Sequence, residues 1–347
     1  MRLRTIRRLL RAVVPAATAS LLAFAMPARA DRLESPLELM YAPDNMLVAG
    51  KLIEINPVGR IVIERKDVIS GKTPPPERID ARVPNEAMAD LKVGERYVIA
   101  YSLFRRDPRQ PTRLAPNREG AVVLMSPGIE PALFRDTPAT RAILKAGSTE
   151  HGRESRRLLD LLLKALNGDD AQLQNLAAGE LAYEPELGER MRDADRAVVE
   201  KTVRNVKTPI RVRAVLLEGA SRQPKTLGGW WQETALQIVT TTPVDGYADK
   251  ASDPVFLILT AFEVLDRYAV KVPPDVLKRW VWNPNPPVVE RVCVMLRREA
   301  PEQERSTIQL ALADPKLPAT TRKFLNDHLR RLDRMNERAK ARKEGSG

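Results

Sequence analysis

The stretch Pro209–Leu217, PIRVRAVLL, sets out a layout that returns at Pro287–Leu296 (PVVERVCVML) and at Pro318–Leu325 (PATTRKFL). Each begins with a proline and places an arginine four residues on, Arg213, Arg291 and Arg322. Apolar residues then fill the sixth and seventh places, as Val215-Leu216, Cys293-Val294 and Phe324-Leu325. Proline suits the first turn of a helix, where its missing N–H would have had no partner. On a helix the apolar pairs share a face with residues such as Ile210, Val289 and Leu329. The copies stand 78 and 31 residues apart, with Pro254 as an intermediate start. Irregular periods of this order mark stacked helical hairpins, each too small to bury its own face. The alternative is a non-repetitive helical bundle.

The rest of the C-terminal two-thirds carries the same helical period. RESRRLLDLLLKAL stops at Asn167-Gly168, and DDAQLQNLAAGELAY opens on a capping aspartate and ends before Pro185. ADRAVVEKTVRNV, GGWWQETALQIV, DPVFLILTAFEVLDRY, PPDVLKRWV and PEQERSTIQLALAD complete about ten helices, separated by Pro, Gly, Asn or Asp breaks. Within DPVFLILTAFEVLDRY the apolar run is short and holds Glu263, which makes it a buried helix rather than a membrane span.

Before residue 130 the period is that of strands. NMLVAGKLIEI ends at the turn NPVG, and RIVIERKDVI alternates until SGKTPPP. ERIDARVP, ERYVIAYSLF and GAVVLMSPG give three more strands, with the short helix-friendly NEAMADL between the third and fourth. The expected fold class is therefore α+β in two domains. A small five-stranded antiparallel barrel (31–135) precedes an all-α array of hairpins (136–334), and a basic flexible tail (335–347) follows. PALFRDTPAT joins the halves, with Leu133 and Phe134 packing between them.

Two resemblances bear on this reading. The strand order resembles an oligonucleotide/oligosaccharide-binding barrel, particularly its netrin-like variant, where a strand like LKVGERYVIAY is typical. The family's usual cysteines are absent here. PIRVRAVLLEGA is similar to the second helix of HEAT repeats, where arginine and alanine recur in that order, and the likeness spans Arg141 to about Asp333. An α-solenoid of this kind implies a partner-binding surface. The netrin-like resemblance implies a further possibility, inhibition of secreted peptidases, through an N-terminal cysteine that this chain lacks.

The first thirty residues read as a signal peptide: MRLRTIRRLLR is basic, AVVPAATASLLAFAM is apolar, and PARA supplies Ala28 and Ala30 ahead of cleavage. General secretion fits better than the twin-arginine route, although Arg7-Arg8 leaves both open. The expected location is periplasmic or secreted. Six of the 57 basic residues lie in that segment, so the remaining 317 residues carry a net charge of +6 rather than +12. That excess suits an anion-rich envelope and also ordinary solubility. Cys293 is the only cysteine, so no internal disulfide forms and packed apolar surface must hold the fold.

Chemistry-bearing groups are sparse. His151 and His328 stand alone and read as surface residues, and Cys293 sits in a core column, so neither a nitrogen–sulfur metal site nor a cofactor is expected. Carboxylate pairs, Glu180 with Glu184, Asp193 with Asp195 and Glu302 with Glu304, read chiefly as solvated faces. A carboxylate-dependent hydrolase acting on envelope polysaccharide or murein is the alternative function. The leading expectation is a binding or scaffold protein for a protein, a peptide or an anionic envelope component. Two features are binding candidates. One is the loop FRRDPRQPTRLAPNREG with Arg105, Arg106, Arg109, Arg113 and Arg118. The other is the adjacent pair Trp230 and Trp231, which point about 100° apart on a helix and cannot both face one core.

Overall fold

The computed structural model describes residues 33–71, 75–105, 119–244 and 253–344. After a five-residue helix α1 (Pro36–Met40), the chain lays down β1 (Asn45–Asn56), β2 (Arg60–Ser70), β3 (Arg78–Arg82), a 3-10 turn (Asn85–Met88), β4 (Arg96–Arg105), β5 (Glu119–Val123) and β6 (Leu133–Arg135). Alternation decides the strands: in β2 and β3 the residues Ile61, Ile63, Ile79 and Ala81 point inward, and Arg78, Asp80 and Arg82 point out. Pairing runs β1-β2-β3-β5-β4, and β1 closes on β4, giving a five-stranded barrel with β6 appended to β4. The β3–β5 pairing is parallel, so the barrel is mixed rather than antiparallel throughout. Alternation within a strand fixes its faces but not its partner's direction, which is why the sequence reading missed this. The strand order fits the oligonucleotide/oligosaccharide-binding class of barrel.

Helices follow in pairs. After α2 (Pro138–Ala146), capped by Thr137, and α3 (Glu150–Arg153), the first hairpin is α4 (Arg156–Leu166) with α5 (Ala171–Tyr183). Ser155 and Asp170 cap its two helices by accepting backbone N–H bonds at about 3 Å. Three short or paired elements come next: α6 (Pro185–Glu189), the hairpin α7 (Asp193–Arg204) with α8 (Ile210–Arg222), and α9 (Pro224–Leu227). The remaining hairpins are α10 (Trp231–Thr241) with α11 (Asp253–Arg267), α12 (Pro274–Trp280) with α13 (Pro286–Glu299), and α14 (Pro301–Ala313) with α15 (Ala319–Glu344).

Each second helix packs on the next second helix, α5 on α8, α8 on α11, α11 on α13 and α13 on α15. The first helices keep lighter contact, α4 with α7 and α7 with α10. Close approach in the second row is built from small residues: a Cβ on Gly219 of α8 would lie 2.6 Å from Ala182 Cβ of α5. This is stacking of like two-helix modules. The prolines of the recurring layout mark it, because Pro209, Pro254, Pro287 and Pro318 all fall at the starts of second helices. Pro209 and Pro287 are two hairpins apart, which explains their wide spacing.

The arginine of the layout has a physical role in two copies. Arg213 Nε donates to Val203 O at 2.8 Å and Arg322 donates to Asp314 O at 2.6 Å, each satisfying carbonyls left over at the end of the preceding first helix. Arg291 instead reaches Asp266 on the previous second helix. In the middle copy the seventh-place residue, Val294, is 45% exposed, so there only Cys293 of the apolar pair is core.

Among the described residues from Ser35 on, barrel and helices share one continuous core. Leu133 and Phe134 lie in that core as β6. The junction is a tight seam. Gly128, at φ +93°, meets Gly179 of α5 so closely that a Cβ on Gly179 would stand 2.7 Å from Gly128 Cα and 2.8 Å from Pro36 Cγ. The last helix runs on to Glu344, through what the sequence reads as a basic tail.

Candidate functional site

Three second helices carry an outward stripe that ends in arginine. On α8 it carries Arg211, Glu218 and Arg222; on α11, Phe256, Glu263 and Arg267; on α13, Glu290, Val294 and Arg298. An arginine thus closes the exposed stripe of three successive second helices, near the helix C-terminus where its charge is favoured. Acids on one helix pair with arginines of the next. Glu218 accepts from Arg222 at 2.8 Å and lies 3.7 Å from Arg267, and Asp266 meets Arg291 at 2.8 Å and Arg298 at 2.7 Å. Arg211 of α8 pairs with Glu130 of the barrel, carrying the ladder across the seam.

Apolar steps interrupt the charges. Phe256 and Val294 are exposed, and Tyr268, also exposed, leans on Trp231 at a centroid distance of 4.9 Å. Burial, reinforced by the Glu218 carboxylate, pushes the Tyr183 phenol at the end of α5 well above its ordinary range. The Tyr183 phenol therefore stays protonated, and the surface as a whole can offer guanidinium, carboxylate and aromatic contacts to an extended ligand.

Of the sequence candidates, the arginine loop falls largely outside the described residues: Arg106, Arg109, Arg113 and Arg118 do, while Arg105 closes β4. Trp231 is buried and Trp230 half-buried, with its indole N–H donating to Leu227 O at 2.8 Å. Trp280 is fully buried between layers, its ring edge-on to Phe262 at 5.5 Å and its N–H on Val239 O.

Of the carboxylate pairs, Asp193 and Glu302 are solvated, but Glu180, Glu184, Asp195 and Glu304 are buried. Glu180 is wholly buried and accepts from Ser35 Oγ at 3.0 Å and Leu37 N at 2.9 Å. Burial drives its carboxyl up to about 7, against the lowering effect of those two bonds. It anchors α1 to α5 and does not open on a cleft with Glu184, which is also buried. Asp195 is held below its usual range by Arg156, whose guanidinium spans α4 to α7. Burial pushes Glu304 up, but hydrogen bonds from His328 at 2.9 Å and from Arg297 more than offset it, so the carboxyl sits below its ordinary value.

His328 is therefore not a surface residue. It is 8% exposed, stacks near Phe324 and joins α15 to Glu304 of α14 and Arg297 of α13. Its place among Arg and Asp on a charged helix hid this, because the buried side of α15 is narrow. Among the described residues, no group of three or more His, Cys, Asp or Glu side chains is placed to hold a metal ion, and no helix is long and apolar enough to cross a membrane.

Cys293 is fully buried, and burial with the nearby Glu304 charge pushes its thiol up to about 12. At about pH 8 the native protein is expected to leave Ellman's reagent unreacted for hours, and one thiol should titrate at once in denaturant. Fast native labelling would place Cys293 at the surface.

The fold and its surface define a class: a small closed barrel fused to a stacked-hairpin array with a charged, aromatic-bearing second-helix row. No protein-family model, curated protein or solved structure matches the chain.

Proposed function

We propose that this is an exported binding or scaffold protein in which a HEAT-like array presents its second-helix row to a protein or peptide partner, with a netrin-like barrel capping the array's first hairpin. The observation that carries the reading is the stripe repeated on α8, α11 and α13. It is a row of outward stripes, each ending in arginine, on packed second helices, whose axes in general lie roughly 8–10 Å apart, and it suits a partner laid across several modules. Export rests on the basic, apolar and small-residue segments of the first thirty residues.

The test is affinity capture from envelope extract with the tagged chain from Asp31, beside a variant carrying Arg222→Glu, Arg267→Glu and Arg298→Glu. A single species retained by the wild type and lost by the variant supports the reading. Equal retention by both removes it, and release of glycan fragments during incubation favours the hydrolase instead.

A further inference from the structure

The terminal helix α15 differs from its sister helices in length and in charge. It has 26 residues, against 13 to 15 in the other second helices. Thr321, Leu325 and His328 are buried against the array, and Leu332 is the last apolar residue packed on the core. Beyond it the helix continues with Arg334, Met335, Glu337 and Arg338 exposed. The solvent side of the helix carries Lys323, Arg330, Arg331, Arg334 and Arg338, all exposed, with Asp327 and Glu337 among them.

Asp333, on the flank, is engaged by Arg305 of α14 and does not offset this row. Arg330 reaches Asp327 only at 3.6 Å and remains 77% exposed. A terminal module needs a polar outer face for solubility, but mixed charge would meet that need. Here the charge is unbalanced, five cations against Asp327 and Glu337, and four of the five cations are arginine.

We propose that this face of α15 docks the protein on a bilayer surface rich in anionic phospholipid headgroups. Guanidinium groups match phosphate oxygens in a two-pronged geometry that ammonium groups cannot reproduce. A straight row about 22 Å long from Lys323 to Arg338 suits a flat surface. The row contains no apolar side chain, so the helix adsorbs without inserting and its hold is electrostatic. This inference is independent of the second-helix reading.

The experiment uses the chain from Asp31 and sedimented vesicles of phosphatidylcholine with or without about 30% phosphatidylglycerol, at about 50 and 300 mM salt. Roughly fivefold in affinity per arginine is expected near such a surface. The variant Arg330→Ser, Arg331→Ser, Arg334→Ser, Arg338→Ser should therefore bind anionic vesicles roughly 600-fold more weakly with unchanged thermal unfolding. The intact protein gives a second check, because its binding should fall more than about tenfold between the two salt concentrations. Binding of wild type and variant alike would overturn the proposal, as would no wild-type binding at low salt. Variant-sensitive binding to soluble polyphosphate with none to vesicles would overturn it too, moving the row to a soluble polyanion.

Discussion

Replacing Glu180 by Gln should stabilise the protein at about pH 8 and change little at about pH 4, a sign opposite to that expected for loss of a carboxylate hydrogen bond. Glu180 is fully buried, and its pKa rises from an ordinary 4.5 to about 7 because burial penalises the charge more than Ser35 and Leu37 reward it. Between those values the folded state holds a proton that the unfolded chain has released. Stability therefore falls as pH rises through that window and levels off above it. The full difference corresponds to about 3 kcal/mol. Arg153 and Glu38 also face the carboxyl with opposing influence, and neither reverses the direction. Glutamine keeps an acceptor for the Leu37 N–H and removes the buried charge. Urea unfolding of both proteins across this range checks the point. A variant increasingly destabilised as pH rises from about 4 to about 8 would show that the ionised carboxylate, not the neutral acid, holds α1 in place.

The second large effect concerns the seam. On helix propensity alone, Gly179→Ala in α5 should stabilise by up to about 1 kcal/mol. In this structure it should destabilise by about 2 to 3 kcal/mol, because the added methyl meets Gly128 Cα, Pro127 O and Pro36 Cγ at 2.7 to 2.8 Å. Two of those contacts are backbone, so no rotamer change relieves them. The displacement would separate barrel from array, and denaturation monitored by a barrel probe and a helix probe should no longer coincide. A stabilised Gly179→Ala variant would mean that the seam is looser than described.

Much of the fold could be read from residues. Alternation placed five strands, and prolines, caps and Gly or Asn stops placed the helices, because these signals are local. The recurring Pro-Arg layout located second helices, two of whose arginines turn out to satisfy neighbouring carbonyls. Non-local outcomes were illegible. The parallel β3–β5 pairing, the three-residue β6 and the short α1 depend on what the barrel closes against. Glu180 gave a faint signal, a lone acid among Ala, Gly and Leu in AAGELAY, but its partners Ser35 and Leu37 lie over 140 residues away. The same distance problem hid His328.

The candidate surface was less legible than the fold. The sequence directed attention to Trp230 and Trp231, whereas the exposed aromatics of the second-helix row are Phe256 and Tyr268. Which side of a helix is left uncovered depends on its neighbours in the stack. Nothing in the sequence singles out Arg222, Arg267 and Arg298, and only the stack shows that each ends the outward stripe of a second helix.

Site-directed photocrosslinking tests most directly the claim that guests bind along the second helices. A benzophenone side chain at Phe256 or Val294, in that row, should give one discrete adduct in envelope extract. The same group at Leu310, exposed on the first helix α14, or at Val93 in the barrel should give none. Adducts from Leu310 or Val93 with silence at Phe256 and Val294 would contradict the account.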